Sequence, residues 1–261
     1  MVNSVFKFIF IFLGLLGSSQ LFSQESKHYM RLMGGYHVGV GETNFGEYTT
    51  TQGTQKNAIS QTGGGIPVTL GTGYMFTKNL GCEVNVQYME SMKQNVLSTS
   101  TLSRNLRFQE VYLIPSIVIA TQGKVGFYIK AGVVVPALTR SFDNYQGLSN
   151  GTVVAEANYN VSNRFIFGIN GSVGIRIRLG KRFALVAEIE EVNIMSQFNE
   201  AVLESYTGTP SAYVPNASSF SYVDSKPLLT LASDKLAYPV SLRRAGINIG
   251  LVYHFTKVET N

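Results

Sequence analysis

Residues 163–191, NRFIFGINGSVGIRIRLGKRFALVAEIEE, constrain the fold more than any other stretch of the chain. Phe165, Phe167, Ile169, Val173, Ile175, Ile177 and Leu179 alternate with Gly168, Asn170, Ser172, Gly174, Arg176 and Arg178. Successive strand side chains point to opposite faces, so this spacing predicts a strand with one apolar and one polar face. Leu179-Gly180-Lys181-Arg182 predicts a tight turn. The chain then returns with Phe183, Leu185, Ala187 and Ile189 on one face and Ala184, Val186, Glu188 and Glu190 on the other. Both strands exceed the roughly 5–6 residues usual in soluble proteins. They approach the roughly 9–11 residues that cross a bilayer when tilted. The apolar face is free of charge, while Arg176, Arg178, Glu188 and Glu190 share the other. In a soluble sandwich the apolar face turns inward; in a membrane barrel it turns outward to lipid.

The N-terminus bears on that choice. Lys7 precedes the apolar run Phe8 to Leu16, and small residues follow, which is the pattern of a secretory signal. Residues 1–23 are expected to be removed, with cleavage after Ser23 or, as the second choice, Ser19. A retained anchor is the alternative, but the run is short for a membrane-spanning helix. Lys7 is the one charge in this segment, so the formal balance falls from +5 to +4 on its removal. No basic run is interleaved with aromatics, and no nucleic-acid partner is expected. The single cysteine, Cys82, excludes an internal disulfide and a cysteine-based zinc site.

Alternation recurs along the rest of the chain. Strands are expected at about 30–41, 66–76, 80–88, 106–120, 125–136, 163–179, 183–194 and 242–255. In the fourth, VYLIPSIVIA is apolar on both faces. Val111, Leu113, Ile117 and Ile119 are assigned outward and Glu110, Tyr112 and Ser116 inward, with a bulge expected at Pro115. The connections run long, short, long, short, long, short, long. Residues 42–64, 90–105, 140–162 and 196–240 read as polar loops, the last being the longest. Eight strands with three tight turns on one rim and four long loops on the other predict an all-β, antiparallel, up-and-down transmembrane barrel. Its turns are periplasmic and its loops extracellular. Only 14% of residues are charged, against roughly 25% in soluble domains. Tryptophan is absent, so an aromatic girdle falls to Tyr and Phe: Tyr74, Phe76, Phe127, Phe183, Tyr253 and Phe255 near the turn rim. The core of a soluble barrel is the alternative.

The signal-like N-terminus, the eight alternating strands and the terminal Tyr253-His254-Phe255 resemble small eight-stranded outer-membrane barrels. The pattern is most similar to the PorT-like, porin-family "outer membrane protein beta-barrel domain" proteins of Bacteroidota. The resemblance covers the whole mature chain and implies residence in the outer membrane of a Gram-negative cell envelope. It also implies contact with outer-membrane lipids and delivery by the barrel-assembly machinery, for which Phe255 resembles the terminal aromatic signal.

An eight-stranded barrel is just wide enough for side chains to fill it. Inward positions carry Glu83, Glu110, Glu188 and Glu190 against Lys130, Arg176, Arg178 and Arg244. Buried charges persist when paired, so a charged plug is expected, with Arg176 and Arg178 beside Glu188 and Glu190. His37 and His254 also face inward and are expected to be neighbours; two satisfied interior histidines are preferred over a metal or catalytic pair. No catalytic residue, metal site or cofactor is expected. Tyr206, Tyr213, Phe220 and Tyr222 are candidate contacts for an extracellular ligand, since Tyr among Ser and Asn suits adaptable binding loops. The preferred function is a non-enzymatic barrel with a structural or surface-binding role. A narrow solute channel, an accessory component of protein secretion and an outer-leaflet lipid-modifying enzyme are the alternatives.

Overall fold

The computed structural model describes residues 27–49, 55–61, 64–209, 214, 219–223, 235–236 and 239–255. The signal segment 1–23, the tail 256–261 and Tyr213 lie outside the described residues. The strands are β1 (His28–Gly39), β2 (Glu42–Thr49), β3 (Gln55–Gln61), β4 (Gly65–Met75), β5 (Leu80–Ser91), β6 (Gln94–Ser98) and β7 (Leu102–Ala120). They continue as β8 (Val125–Ser149), β9 (Thr152–Arg178), β10 (Phe183–Gly208), β11 (Ser219–Val223), β12 (Lys235–Leu236) and β13 (Pro239–His254). Eight of them close a ring in the order β1-β4-β5-β7-β8-β9-β10-β13, and β13 pairs back onto β1. Every neighbouring pair in the ring is antiparallel. Closure leaves no sheet edge and satisfies the backbone where water is absent.

Over its lower half the barrel is apolar outside and largely polar inside, with an apolar cluster that includes Val118, Ala120, Val186 and Val252 toward the turn rim. Ile117, Ile129, Ile189 and Ile249 are about three-fifths exposed, at 58–62%. Ser116, Lys130, Glu188 and Asn248 on the opposite faces of the same strands are almost wholly buried. A continuous belt of exposed Leu, Ile, Val and Phe far exceeds the few hundred Å² tolerated in water. Lipid is the solvent that suits it. The belt ends where outward side chains become polar, at Tyr88, Glu90, Arg107, Glu191 and Arg243. Glu90 pairs with Arg107 at 3.5 Å and Glu191 with Arg243 at 2.7 Å.

Above that level the faces invert. Along β8 the inward residues are even-numbered through Val134 and odd-numbered from Ser141. The extra residue is Ala137, where the register with β7 shifts between Val111 and Tyr112. In β9, inward Asn170 gives way to inward Val161, Tyr159, Ala157 and Ala155, with Ile166 the extra residue against β10. In β10 Asn199 is inserted between Phe198 and Glu200 and, higher up, Glu204 between Leu203 and Ser205. Strand side chains have a period of two, so only an odd insertion exchanges the faces. The bulges fall where the outer solvent changes from lipid to water. Beyond them the interior is a conventional apolar core of Leu106, Phe108, Val134, Tyr145, Tyr159, Val161 and Ile194. Between Val134↔Gly168 and Ser141↔Val161, β8 and β9 keep one register but are not paired.

Strands β8, β9 and β10 are therefore 25, 27 and 26 residues long, more than twice a tilted crossing of roughly 9–11 residues. The loop expected at 140–162 is instead a strand hairpin closed by Asn150-Gly151. Both turn residues have positive φ, 51° and 78°, as a two-residue type I′ turn requires. The other expected loops also hold strands. β2 pairs with β3, and β6 folds against β7. The first part of 196–240 is the end of β10, onto which β11 folds back. The bulge expected at Pro115 is not there, since Val84↔Pro115 lies in unbroken register with β5. The ladder to β8 skips Ile114 and Pro115, so the missing N–H falls in that interruption.

Candidate functional site

The lower lumen is crossed by a ring of charge. β1 brings Arg31, β5 Glu83, β8 Lys130 and β10 Glu188, each on its strand's inward face and at most 4% exposed. Arg31 lies 3.1 Å from Glu83 and 2.8 Å from Glu188. Lys130 lies 3.3 Å from Glu83 and 2.9 Å from Glu188. Two cations and two carboxylates thus alternate around the lumen. Neutral donors complete the shells: Tyr29 Oη and Asn85 Nδ2 donate to Glu83, both at 2.8 Å, and Tyr128 Oη donates to Glu188 at 2.9 Å. An isolated buried carboxylate is costly; one with several donors and two counter-ions is not.

A second tier lies above. Glu190 accepts from Asn170 Nδ2 at 2.6 Å, Asn248 Nδ2 at 2.7 Å and Gln87 Nε2 at 3.0 Å. His37 Nε2 lies 3.2 Å from Asn248 Oδ1 and 3.5 Å from Glu190. Higher again, Arg244 pairs with Glu110 at 2.7 Å, and its guanidinium lies 5.1 Å from the Tyr112 ring centroid. Arg104 and Asp143 pair at 2.7 Å within the extension.

The pairing expected of Arg176 and Arg178 with Glu188 and Glu190 does not occur. The β9–β10 register sets Arg176 opposite Val186 and Arg178 opposite Ala184, while Glu188 and Glu190 face Gly174 and Ser172. The two arginines lie at the periplasmic mouth, donating to the Thr121 carbonyl at 3.3 Å and Gln122 Oε1 at 3.1 Å. Arg31, which the sequence reading passed over, is the counter-ion in the ring. Its parity with Met33 and His37 was the available signal. His37 and His254 are not neighbours either. In the antiparallel β1–β13 pair His37 sits opposite Gly246, and His254 opposite Tyr29, at the two ends of the ladder.

The aromatic residues of the turn rim form contacts. Tyr74 and Phe76 have ring centroids 5.5 Å apart, Phe183 and Tyr253 5.3 Å, and Tyr253 and Phe255 5.2 Å. Phe127 is 62% exposed. Of the candidate loop contacts, Tyr206 is half-buried at the end of β10 and packs on the upper core. Phe220 and Tyr222 lie on β11, opposite Ala201 of β10 and Lys235 of β12.

The chain is similar to the outer membrane protein OprG from Pseudomonas aeruginosa, at 12% identity and a TM-score of 0.56 over 90% of this chain and 98% of that one. It is also similar to Neisserial surface protein A (11%, TM-score 0.37, 89% and 100%). A third likeness is to Ail, the attachment invasion locus protein of Yersinia pestis (9%, TM-score 0.35, 89% and 100%). Only the first superimposes closely enough to bear on the fold. No curated protein matches the chain. The family model described as "Outer membrane protein beta-barrel domain" matches residues 8–255. The chain therefore belongs to the outer membrane protein beta-barrel domain family and is an integral β-barrel of the outer membrane.

Proposed function

We propose that this protein is a non-enzymatic outer-membrane barrel whose lumen is closed by its own charged side chains. Its role is then structural or surface-binding, exercised through the extracellular extension. The observation that carries this reading is the four-membered ring of Arg31, Glu83, Lys130 and Glu188, 2–3% exposed and paired on every side. An ion crossing the lumen must break those pairs and strip its own hydration, and beyond the polar tiers above the ring it meets an apolar core that offers few ligands. The luminal carboxylates and His37 are committed to one another, which supports a packing role for them over a catalytic one.

The PorT-like likeness among Bacteroidota barrels rests on the signal-like N-terminus, the eight strands and Tyr253-His254-Phe255. On that likeness we propose that the chain belongs to this narrower group. Delivery by the barrel-assembly machinery and a ligand for the extension belong to the same reading. The aromatic rim would anchor the barrel at the inner interface.

Planar-bilayer recording in concentrated KCl tests the closed lumen. The wild type is expected to show no steady conductance, and Glu83→Ala/Lys130→Ala is expected to open small steps. Stable single-channel steps in the wild type would instead establish the narrow channel.

A further inference from the structure

The described periplasmic rim carries cations and no carboxylate. Lys27, Lys78, Lys124, Arg176, Arg178, Lys181 and Arg182 lie at this end, and no described Asp or Glu does. Lys78, Lys124 and Lys181 sit on exposed turns, within reach of lipid phosphates. Arg176 and Arg178 are placed differently. Their β10 partners Val186 and Ala184 are buried in the lumen, and directly opposed residues share a face. His254 joins them from β13, opposite buried Tyr29, with ring centroids 5.9 Å apart. Arg176 and Arg178 lie two residues apart on the same face of β9, so their charges crowd.

The hydrogen bonds of this cluster leave its charge uncompensated. Arg176 and Arg178 donate to neutral oxygens of Thr121 and Gln122. Arg176 Nε and His254 Nε2 are buried without a hydrogen-bond partner among the described residues. Arg176 also lines a cavity walled by Val118, Val186 and Val252, with Arg31 and Glu83 further in. An unpaired buried guanidinium N–H and crowded like charges both cost free energy, and an anion seated among them relieves both. Guanidinium forks match the oxygens of a phosphate or carboxylate group.

We propose that the luminal side of the periplasmic mouth is an oxyanion site. Arg176, Arg178 and His254 form it, and Gln122 orients Arg178. Its occupant is a phosphate-bearing solute from the periplasm, because the barrel wall stands between these side chains and the lipid headgroups. The site goes beyond the closed-lumen reading, since it lies below the ring and is present whether or not the barrel conducts.

Phosphorus NMR of inorganic phosphate titrated into the full-length barrel in maltoside micelles, a detergent without phosphate, tests it. The wild type is expected to broaden the signal saturably. Arg176→Gln/Arg178→Gln is expected to weaken that binding by about tenfold or more. Lys78→Gln/Lys124→Gln on the exposed turns is expected to leave it within about twofold. Heat-modifiable gel mobility verifies that each variant is folded. Arg178→Gln alone, at the exposed mouth, gives the same comparison if the double variant does not fold. A repeat in phosphatidylglycerol nanodiscs separates the sources. An undiminished response supports the solute, whereas a response abolished there assigns the site to a headgroup and overturns the solute. No saturable broadening in micelles, or equal loss in both double variants, overturns the oxyanion site itself.

Discussion

Arg31 and Arg176 are both luminal arginines, yet the ring treats them oppositely. Arg31 bonds two buried carboxylates, and removing a partner from such a set strands a charge in a medium that cannot solvate it. Glu83→Ala leaves Arg31 and Lys130 sharing Glu188 alone. It is expected to cost about 3–5 kcal/mol, read as a lower urea midpoint for unfolding from lipid vesicles. Arg176→Ala breaks a single bond to a backbone carbonyl near solvent. It is expected to stay within about 0.5 kcal/mol of the wild type. A large loss in Arg176→Ala, or none in Glu83→Ala, would contradict this division. The difference between the two arginines was only half legible in the sequence. Parity gives the face of a residue once its strand is known, so Arg176 reads as inward. It does not give the level along the barrel axis. That depends on strand register, which pairs Glu188 with Gly174 and leaves Arg176 nearer the mouth. Arg31 was legible by the same parity and lay just ahead of the apolar alternation that drew attention to β1.

At the scale of elements, the informative feature is the set of bulges at Ala137, Ile166 and Asn199. Below them alternation places apolar residues in lipid; above them it places Tyr145, Tyr159 and Val161 in a dry core. Deleting Phe142, beyond the bulge at Ala137, moves every later residue of β8 by one place and so to the opposite face. Asp143 and Tyr145 then turn to water and Asn144 and Gln146 turn into the core. The deletion is expected to make the Asn150–Gly151 hairpin cleavable by external protease on intact cells. The compact, fast-migrating unheated gel band of the membrane-embedded part is expected to survive. Loss of that band, or continued protection of the hairpin, would show that the two halves fold as one unit. The eight crossings were legible because most carry a period of two; β7, apolar on both faces over residues 111–120, was legible as a strand more than in its register. The extension was not, because its outward residues are Asn, Gln, Glu and Ser, a composition that reads as loop. Asn150-Gly151 was the signal that reveals it: that dipeptide between alternating segments is a hairpin turn, and it forces positive φ on both residues.

For the whole molecule, the inside-out lower half sets what an outward charge costs at each height. Ile129 on β8 is 58% exposed near the middle of the belt, and Val153 on β9 is 47% exposed beside the Asn150–Gly151 turn. In water the two positions are equivalent, as exposed β-branched residues on the outer face of a paired strand. Arginine at either then changes stability little. In a bilayer they differ, because the guanidinium at Ile129 enters hydrocarbon while the one at Val153 stays in the aqueous layer. Ile129→Arg is expected to destabilise the barrel by about 2–4 kcal/mol in lipid vesicles, and Val153→Arg by less than about 1 kcal/mol. Measuring both in vesicles of increasing acyl-chain length sharpens the comparison. The penalty at Ile129 should persist through the series, and that at Val153 should stay small until the hydrocarbon outgrows the belt that ends at Glu90, Glu191 and Arg243. Equal penalties at the two heights would mean that the bulges do not mark the boundary between lipid and water.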